Sequence, residues 1–173
     1  MSIFYPNLLV DKITDINIDI LSELNIKNIL LDIDDTISPG STVSISDEID
    51  EWLKMLKSHF INLAIISNNS RERVECFSRK LHIPYVCRSM KPLPFGVYKA
   101  MDLISANKST VAIVGDQIFT DVLAAKFVGI KSILVEPLSM DGSFTLKIKR
   151  GLEYLVKKLN KERLDKRRLR VKR

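Results

Sequence analysis

Three aspartates stand within four positions early in the chain, in the stretch DIDDT that ends an apolar run. They are Asp32, Asp34 and Asp35. Their mutual repulsion would destabilise a buried site unless a cation offsets it, so a chemical role is a reason to expect such a group. A second acidic pair, Asp116 and Asp121, follows another apolar run in GDQIFTD. Carboxylates from two such places form an oxygen-rich site suited to Mg2+, and an ionised carboxylate can also attack phosphorus.

Two further stretches supply hydrogen-bond donors that suit a phosphoryl group. Ser67 and Asn68 end the run NLAIISN, and Lys91 stands in SMKP. Donors of this kind stabilise the charge on phosphoryl oxygens in a transition state. Taken singly, Ser67 is explained as a helix cap and Lys91 as a surface charge. Lys99 is an alternative candidate for the lysine that contacts phosphate. Asp121 could likewise be an acid in the first turn of a helix.

Apolar runs rich in β-branched residues alternate with stretches of helical period, a pattern typical of βαβ units and a parallel sheet. The predicted strands cover 28–34, 62–68, 83–88, 110–116 and 131–137, and the predicted helices cover 46–60, 70–81, 94–105 and 120–129. In such sheets, ligands bind at the carboxyl ends of the strands. The polar residues above are therefore expected to meet at one edge.

The composition fits one compact domain of an ordinary globular protein, with 173 residues of which 46% are hydrophobic and 28% charged. The first 25 residues show no clear period and are expected to form a helix or an arm packed on the sheet. No run approaches the roughly 18 apolar residues of a membrane span, and no secretory signal is recognised, so we expect a cytoplasmic protein. Cys76 and Cys87 are not in a CxxC arrangement, which predicts two buried, reduced thiols.

Basic charge is concentrated at the C-terminal end. Residues 147–173 carry 13 Lys and Arg against three acids, a net charge of +10, which leaves −4 for the first 146 residues. Because apolar residues recur there at helical spacing, we divide the chain into a domain over 1–146 and a basic amphipathic helix and tail over 147–173. This tail could contact an anionic membrane peripherally at its inner face, bind nucleic acid, or remain a solvated helix.

The order of the stretches DIDDT, IISNN, SMKP and GDQIFTD resembles the motif set of the haloacid dehalogenase (HAD) superfamily of phosphatases. The match covers about residues 28–136. SNN, VGDQIFTD and the N-terminal FYPNLLVDKITDINIDILSELNIKNI are similar in particular to the YqeG-like HAD-IIIA phosphatases. The resemblance implies an α/β fold, a three-layer α/β/α sandwich on a parallel sheet. The intervals between the motifs leave no room for a separate cap domain.

The same resemblance implies a role for each matching residue. Asp32 would be the nucleophile that forms an aspartyl-phosphate, and Asp34 the general acid and then base, whose backbone carbonyl also binds the metal. The phosphate-binding residues would be Thr36, Ser67, Asn68 and Lys91, and the Mg2+ site would involve Asp32, Asp34, Asp116 and Asp121. Asp35 receives no catalytic role and is expected to be exposed or to cap a turn.

The implied activity is Mg2+-dependent hydrolysis of a phosphomonoester. An uncapped site suits a bulky phosphorylated substrate, and mitochondrial relatives of the YqeG-like group are phosphatidylglycerophosphate phosphatases of phospholipid biosynthesis. One alternative is a phosphatase for a soluble nucleotide, a sugar phosphate or a nucleic-acid end. The other is a module that binds RNA, a ribosome or a protein through its tail while the site is idle. The sequence leaves the oligomeric state open.

Overall fold

A computed structural model of the chain describes residues 4–40 and 42–139. Its strands form one parallel sheet: β1 Leu8–Val10, β2 Asn28–Leu31, β3 Asn62–Ile66, β4 Tyr85–Val86, β5 Val111–Gly115 and β6 Lys131–Val135. Their order across the sheet is β1-β6-β5-β2-β3-β4. β2 and β5 are hydrogen-bonded neighbours at the centre, so the stretches DIDDT and GDQIFTD begin side by side.

Helices cover both faces of this sheet, as the sequence predicts. They are α1 Ile18–Glu23, α2 Asp47–Ser58, α3 Arg71–Leu81, α4 Pro94–Leu103 and α5 Leu123–Val128. Successive strand residues point to opposite faces. Ile29 and Leu31 therefore pack in the core that includes α2 and α3, whereas Leu30 packs in the core that includes α4 and α5. The architecture is the predicted three-layer α/β/α sandwich, and no cap domain interrupts the described residues.

Helix α2 illustrates why these elements begin where they do. The Ser46 side chain accepts a hydrogen bond from the Ile49 N–H at 3.3 Å and so caps the helix. Asp47 and Glu48 place negative charge in the first turn, where the helix dipole favours it. Trp52 lies on the buried face, and its indole N–H donates to a backbone carbonyl at 2.8 Å. Both the start of the helix and its buried face follow from local sequence.

Strand β1 is the element that the sequence pattern missed. It pairs in parallel with β6, with Leu9 opposite Leu134, and forms one edge of the sheet. Three residues are too few for a period to show, and a short helix, α1, follows it. The first 25 residues thus contain the helix that the sequence offered, whereas the segment before it is a strand within the sheet and not an arm packed on it.

The strands end earlier than predicted, at the points where the polar residues begin. β2 stops at Leu31, and β4 keeps only Tyr85 and Val86 of the predicted 83–88. The Asp32 N–H still donates to the Val114 carbonyl at 3.0 Å, so the first aspartate is held by the sheet at its backbone.

Three other expectations concern the cysteines, the membrane and the tail. Cys76 is exposed and Cys87 half-buried, both as free thiols, so the prediction that they are buried was wrong. Cys76 is exposed because α3 buries Val74 and Phe77, which places position 76 on the outer face. Within the described ranges, no helix is both long and apolar enough to cross a membrane. The predicted basic helix and tail over 147–173 lies outside the described residues.

Candidate active site

The carboxyl edge of the sheet gathers acidic residues from its two central strands. Asp32 follows β2, Asp116 follows β5, and Asp121 lies in the π-helical turn Ile118–Val122 that precedes α5. All three are buried, and each offers a carboxylate oxygen within 4.8 Å of the others. A divalent cation such as Mg2+ prefers oxygen ligands grouped in this way. The residues present therefore fit the implied metal.

Lys91 lies inside this acidic cluster. Its Nζ is 2.8 Å from Asp32 Oδ1 and 2.6 Å from Asp121 Oδ1, and its side chain is 2% exposed. Burial alone would lower the pKa of the lysine, but the charges of Asp121 and Asp32 outweigh burial and raise it above its usual value. Lys91 is therefore a buried ammonium. Lys99, the alternative candidate for the lysine that contacts phosphate, is exposed on α4.

One ammonium does not fully compensate the buried carboxylates. The pKa of Asp32 is raised to about 7, chiefly by burial; the charge of Lys91 opposes this rise, and the negative charges of Asp121 and Asp34 add to it. A cation bound beside Asp32 would favour its ionised form, because positive charge stabilises the carboxylate over the acid. The excess negative charge of the cluster and its oxygen ligands thus both favour a bound cation.

Asp121 divides its two oxygens between the lysine and the residues just before it in the chain. Oδ1 accepts from Lys91, while Oδ2 accepts from the Gln117 N–H at 3.1 Å and from the Thr120 hydroxyl at 3.4 Å. This approach depends on Gly115, because a Cβ there would overlap Cγ and Oδ2 of Asp121. The arrangement suits a residue that orients the lysine.

Asn68 holds the loop that carries Lys91. Its side-chain oxygen accepts from the Lys91 N–H at 2.7 Å and the Ser89 hydroxyl at 2.8 Å, and its side-chain nitrogen donates to the Lys91 carbonyl at 2.9 Å. Gly96 lets α4 approach the same loop, since a Cβ there would overlap the Ser89 carbonyl oxygen. Asn68 thus binds the backbone of Lys91, and its predicted contact with phosphate stays a prediction.

Two hydroxyl residues predicted to bind phosphate are buried near these strand ends. Ser67 follows β3, and its Oγ accepts from the Asn69 N–H at 3.1 Å, which stabilises the turn before α3. Its O–H can still donate to an anion. Thr36 is fully buried, and its Oγ1 makes no hydrogen bond to any residue in the described part of the chain. A buried hydroxyl of this kind usually has a partner, such as water or a bound anion.

Arg73 on α3 restrains Asp34, a contact that sequence reasoning missed. Its Nε and Nη2 lie 2.8 and 2.6 Å from Asp34 Oδ1, and the Asn69 side chain donates to Oδ2 at 3.2 Å. Arg73 also donates to the Gly40 carbonyl at 2.8 Å and lies 5.4 Å from the centroid of the Phe77 ring. The Asp34 side chain is 28% exposed, so solvent reaches this carboxylate.

Asp35 is buried, so the expectation that it is exposed was wrong, whereas the alternative of a turn cap is right. Its Oδ1 accepts from the Gly40 N–H at 2.9 Å and from the Ser139 hydroxyl at 2.5 Å. Its φ of 58° lies in the left-handed region, which aspartate tolerates better than most residues. The third aspartate of DIDDT therefore closes the loop that follows β2.

Comparisons with known proteins agree with this fold and give the family of the chain. A family model described as mitochondrial PGP phosphatase matches residues 1–139. The probable phosphatase YqeG of Bacillus subtilis (strain 168) is 32% identical over 150 residues, which cover 87% of each chain. The cobalt-bound deoxy-D-mannose-octulosonate 8-phosphate phosphatase YrbI of Haemophilus influenzae has a TM-score of 0.52 at 17% identity, covering 65% of this chain and 69% of its own.

An uncharacterized protein from Listeria monocytogenes serotype 4b has a TM-score of 0.55 at 15% identity, covering 76% of this chain and 99% of its own. At such identities the two solved structures show a shared fold alone. The family model and the Bacillus relative each cover most of the chain. The chain therefore belongs to the mitochondrial PGP phosphatase family, a group of phosphatases within the haloacid dehalogenase superfamily.

Proposed function

We propose that this phosphatase hydrolyses a phosphomonoester in a Mg2+-dependent reaction that passes through an aspartyl-phosphate on Asp32. The observation that carries the proposal is the buried contact of Asp32 and Asp121 with Lys91, beside Asp116, at the carboxyl edge of the sheet. A module that only binds a partner has no need for clustered buried carboxylates, because they lower stability unless they are compensated.

The reaction takes two displacements at phosphorus. In the first, an Asp32 oxygen forms a bond to phosphorus, the bond to the ester oxygen breaks, and Asp34 donates a proton to the leaving alkoxide. In the second, Asp34 accepts a proton from water as the water oxygen attacks the same phosphorus. Inorganic phosphate leaves and the Asp32 carboxylate is regenerated. Lys91 and Ser67 donate hydrogen bonds to the phosphoryl oxygens.

The Mg2+ ion would be held by the carboxylates of Asp32 and Asp116 and by the backbone carbonyl of Asp34, with Asp121 on the metal side. When bound, it supplies positive charge that stabilises the phosphoryl oxygens in the transition state. Asp121 contributes chiefly by orienting Lys91, because its two oxygens already accept hydrogen bonds from protein groups.

The proposed substrate is phosphatidylglycerophosphate. The description of the matched family supports it, and so does the short connection after each motif, because one helix and one strand fill each interval of the described chain. A site without a cap domain can accept a phosphate that is attached to a bulky lipid.

The test is phosphate release from phosphatidylglycerophosphate in mixed micelles, with Mg2+ or with EDTA. We expect release that needs Mg2+ and that falls at least about a thousandfold in Asp32→Asn, since the nucleophile is lost. Asp102→Asn, which alters an exposed acid on α4, serves as the matched control. Substantial activity of Asp32→Asn would refute the mechanism. Release from an aryl phosphate but not from the lipid would refute the substrate and favour a soluble or nucleic-acid phosphate.

A further inference from the structure

Exposed apolar side chains surround the turn that carries Lys91. Met90, Leu93 and Phe95 are 60%, 42% and 71% exposed, and we name these three residues the lysine-loop surface. Single exposed apolar residues are common on proteins, but a group of them beside a site marks a contact with another molecule. Lys91 lies between them in sequence, with its side chain buried in the acidic cluster.

The lysine-loop surface stands on a tightly held backbone. The Leu93 N–H donates to the Met90 carbonyl at 2.8 Å, which closes the turn around Lys91. Asn68 binds the Lys91 backbone on both sides, and Gly96 lets the first turn of α4 pack against the loop. These bonds hold the apolar side chains outward in a preformed arrangement, so little ordering is needed when they meet a partner.

Basic residues outnumber acidic ones around this surface. Residues 82–110 contain three lysines and one arginine against a single acid, Asp102. Arg88 and Lys99 are exposed. On the outer side of α4, Lys108 Nζ lies 4.9 Å from the centroid of the Tyr98 ring, which is itself partly exposed. Apolar and aromatic side chains with a basic rim are typical of surfaces that contact anionic lipid headgroups.

We propose that the lysine-loop surface docks on an anionic phospholipid bilayer and turns the active site toward the headgroups. The proposal rests on the proposed function, because the partner is the lipid surface in which that substrate lies. Met90, Leu93 and Phe95 enter the boundary between headgroups and acyl chains, while Arg88 and Lys99 meet the anionic headgroups.

A second copy of the chain fits this surface less well than a bilayer does. In a symmetric dimer the same patch faces itself, so the basic rims of the two copies would meet and repel each other. A bilayer with anionic lipids supplies both an apolar interior and the opposite charge. Docking would also bring a lipid phosphate to the turn from which Lys91 reaches Asp32.

The experiment compares Phe95→Ser with Phe60→Ser in the full chain. Phe60 is 89% exposed and precedes β3, so it lies at the opposite, amino edge of the sheet. Cosedimentation is measured with vesicles of phosphatidylcholine and phosphatidylglycerol, without Mg2+ and on an Asp32→Asn background. We expect Phe95→Ser to bind about tenfold more weakly, because it no longer buries an aromatic ring. Phe60→Ser should bind as the unchanged background does.

A second variant tests the charge of the rim. Arg88→Gln should weaken binding to the phosphatidylglycerol vesicles about fivefold, and should leave binding to pure phosphatidylcholine unchanged. No binding by the parent protein, or equal binding by Phe95→Ser, Arg88→Gln and the parent, would overturn the proposal. A change of oligomeric state in Phe95→Ser without a change in vesicle binding would overturn it in favour of a second copy. Binding is measured without turnover, so the vesicle result tests the docking surface even if the proposed hydrolysis is not observed.

Discussion

The two edges of the sheet hold their polar groups in different ways. At the amino edge, the Asn62 side chain donates to Asn28 Oδ1 at 3.0 Å, and the Asn28 side chain donates to the Thr110 hydroxyl at 2.9 Å. These uncharged groups satisfy one another across three neighbouring strands. Each bond replaces one that the group would make with water, so the edge is closed without burying charge.

The carboxyl edge buries charge instead. Asp32 and Asp121 share the single ammonium of Lys91, and Asp116 lies within reach of both acids. Neutral residues of similar size would form a more stable edge, because buried ions lose their hydration. The sheet is therefore stabilised at one edge and arranged for chemistry at the other.

Removal of the shared ammonium should have the largest effect on stability. Lys91→Met should lower the free energy of unfolding by about 3–5 kcal/mol, because two buried carboxylates lose their partner. The measurement is urea denaturation without metal. The double variant Lys91→Met/Asp121→Asn should recover part of the loss, since it removes one of the stranded charges. Stability equal to the wild type in the single variant would show that the carboxylates do not depend on the lysine.

Addition of Mg2+ should stabilise the carboxyl edge. A ligand that binds only the folded protein adds about 2.7 kcal/mol at one hundred times its dissociation constant. Thermal unfolding with increasing Mg2+ measures this gain. Asp116→Asn should reduce the gain, whereas Asn28→Ala at the amino edge should keep it. A melting temperature that does not respond to Mg2+ would contradict a cation site.

Two glycine variants separate stability from activity. Gly115→Ala should lower the free energy of unfolding by about 1–3 kcal/mol and also reduce phosphatase activity, because the new Cβ displaces Asp121. Gly129 has a φ of 78°, and a Cβ added there would meet no atom of the described residues within 4 Å. Gly129→Ala should therefore lower stability by about 1 kcal/mol through backbone strain alone. Its activity should be unchanged. Normal activity in Gly115→Ala would show that Asp121 need not keep its position.

A change at the amino edge should affect stability mildly and leave activity intact. Asn28→Ala should lower the free energy of unfolding by about 1–2 kcal/mol, because it breaks the bonds to Thr110 and Asn62. Turnover per folded molecule should match the wild type when the two are assayed side by side. A clear loss of turnover would show that the two edges are coupled and would weaken the division between them.

The central strands could be predicted because their apolar runs are long and end in polar residues. The same feature is enough to predict that Asp32, Asp116 and Ser67 share one edge of the sheet. Strand β1 could not be predicted, since three apolar residues carry no period and its pairing with β6 is a tertiary contact. The predicted strands also ran up to three residues too far, although the N–H groups of Asp32 and Ser67 still donate to the neighbouring strands.

The contacts of the site were less predictable than its members. Arg73 reaches Asp34 across 39 positions, and which face of α3 turns toward the site depends on packing. The burial of Asp35 depends on Ser139, 104 positions away. The placement of Lys91 rather than Lys99 beside the acids likewise needs the loop before α4. The roles of these residues in catalysis and in phosphate binding stay predictions.

The hydrogen bonds from Asn68 to the backbone of residue 91 affect how such enzymes can change in evolution. Its side chain binds the main-chain N–H and carbonyl of that residue and does not touch the side chain's ammonium. The loop is therefore held in place whichever side chain stands there. Placement and charge at this position are set by different contacts. A neutral residue at 91 would keep the backbone bonds to Asn68 but would leave Asp32 and Asp121 without their ammonium. A lineage that changes the charge its phosphatase offers to substrates would therefore have to change one of those acids as well.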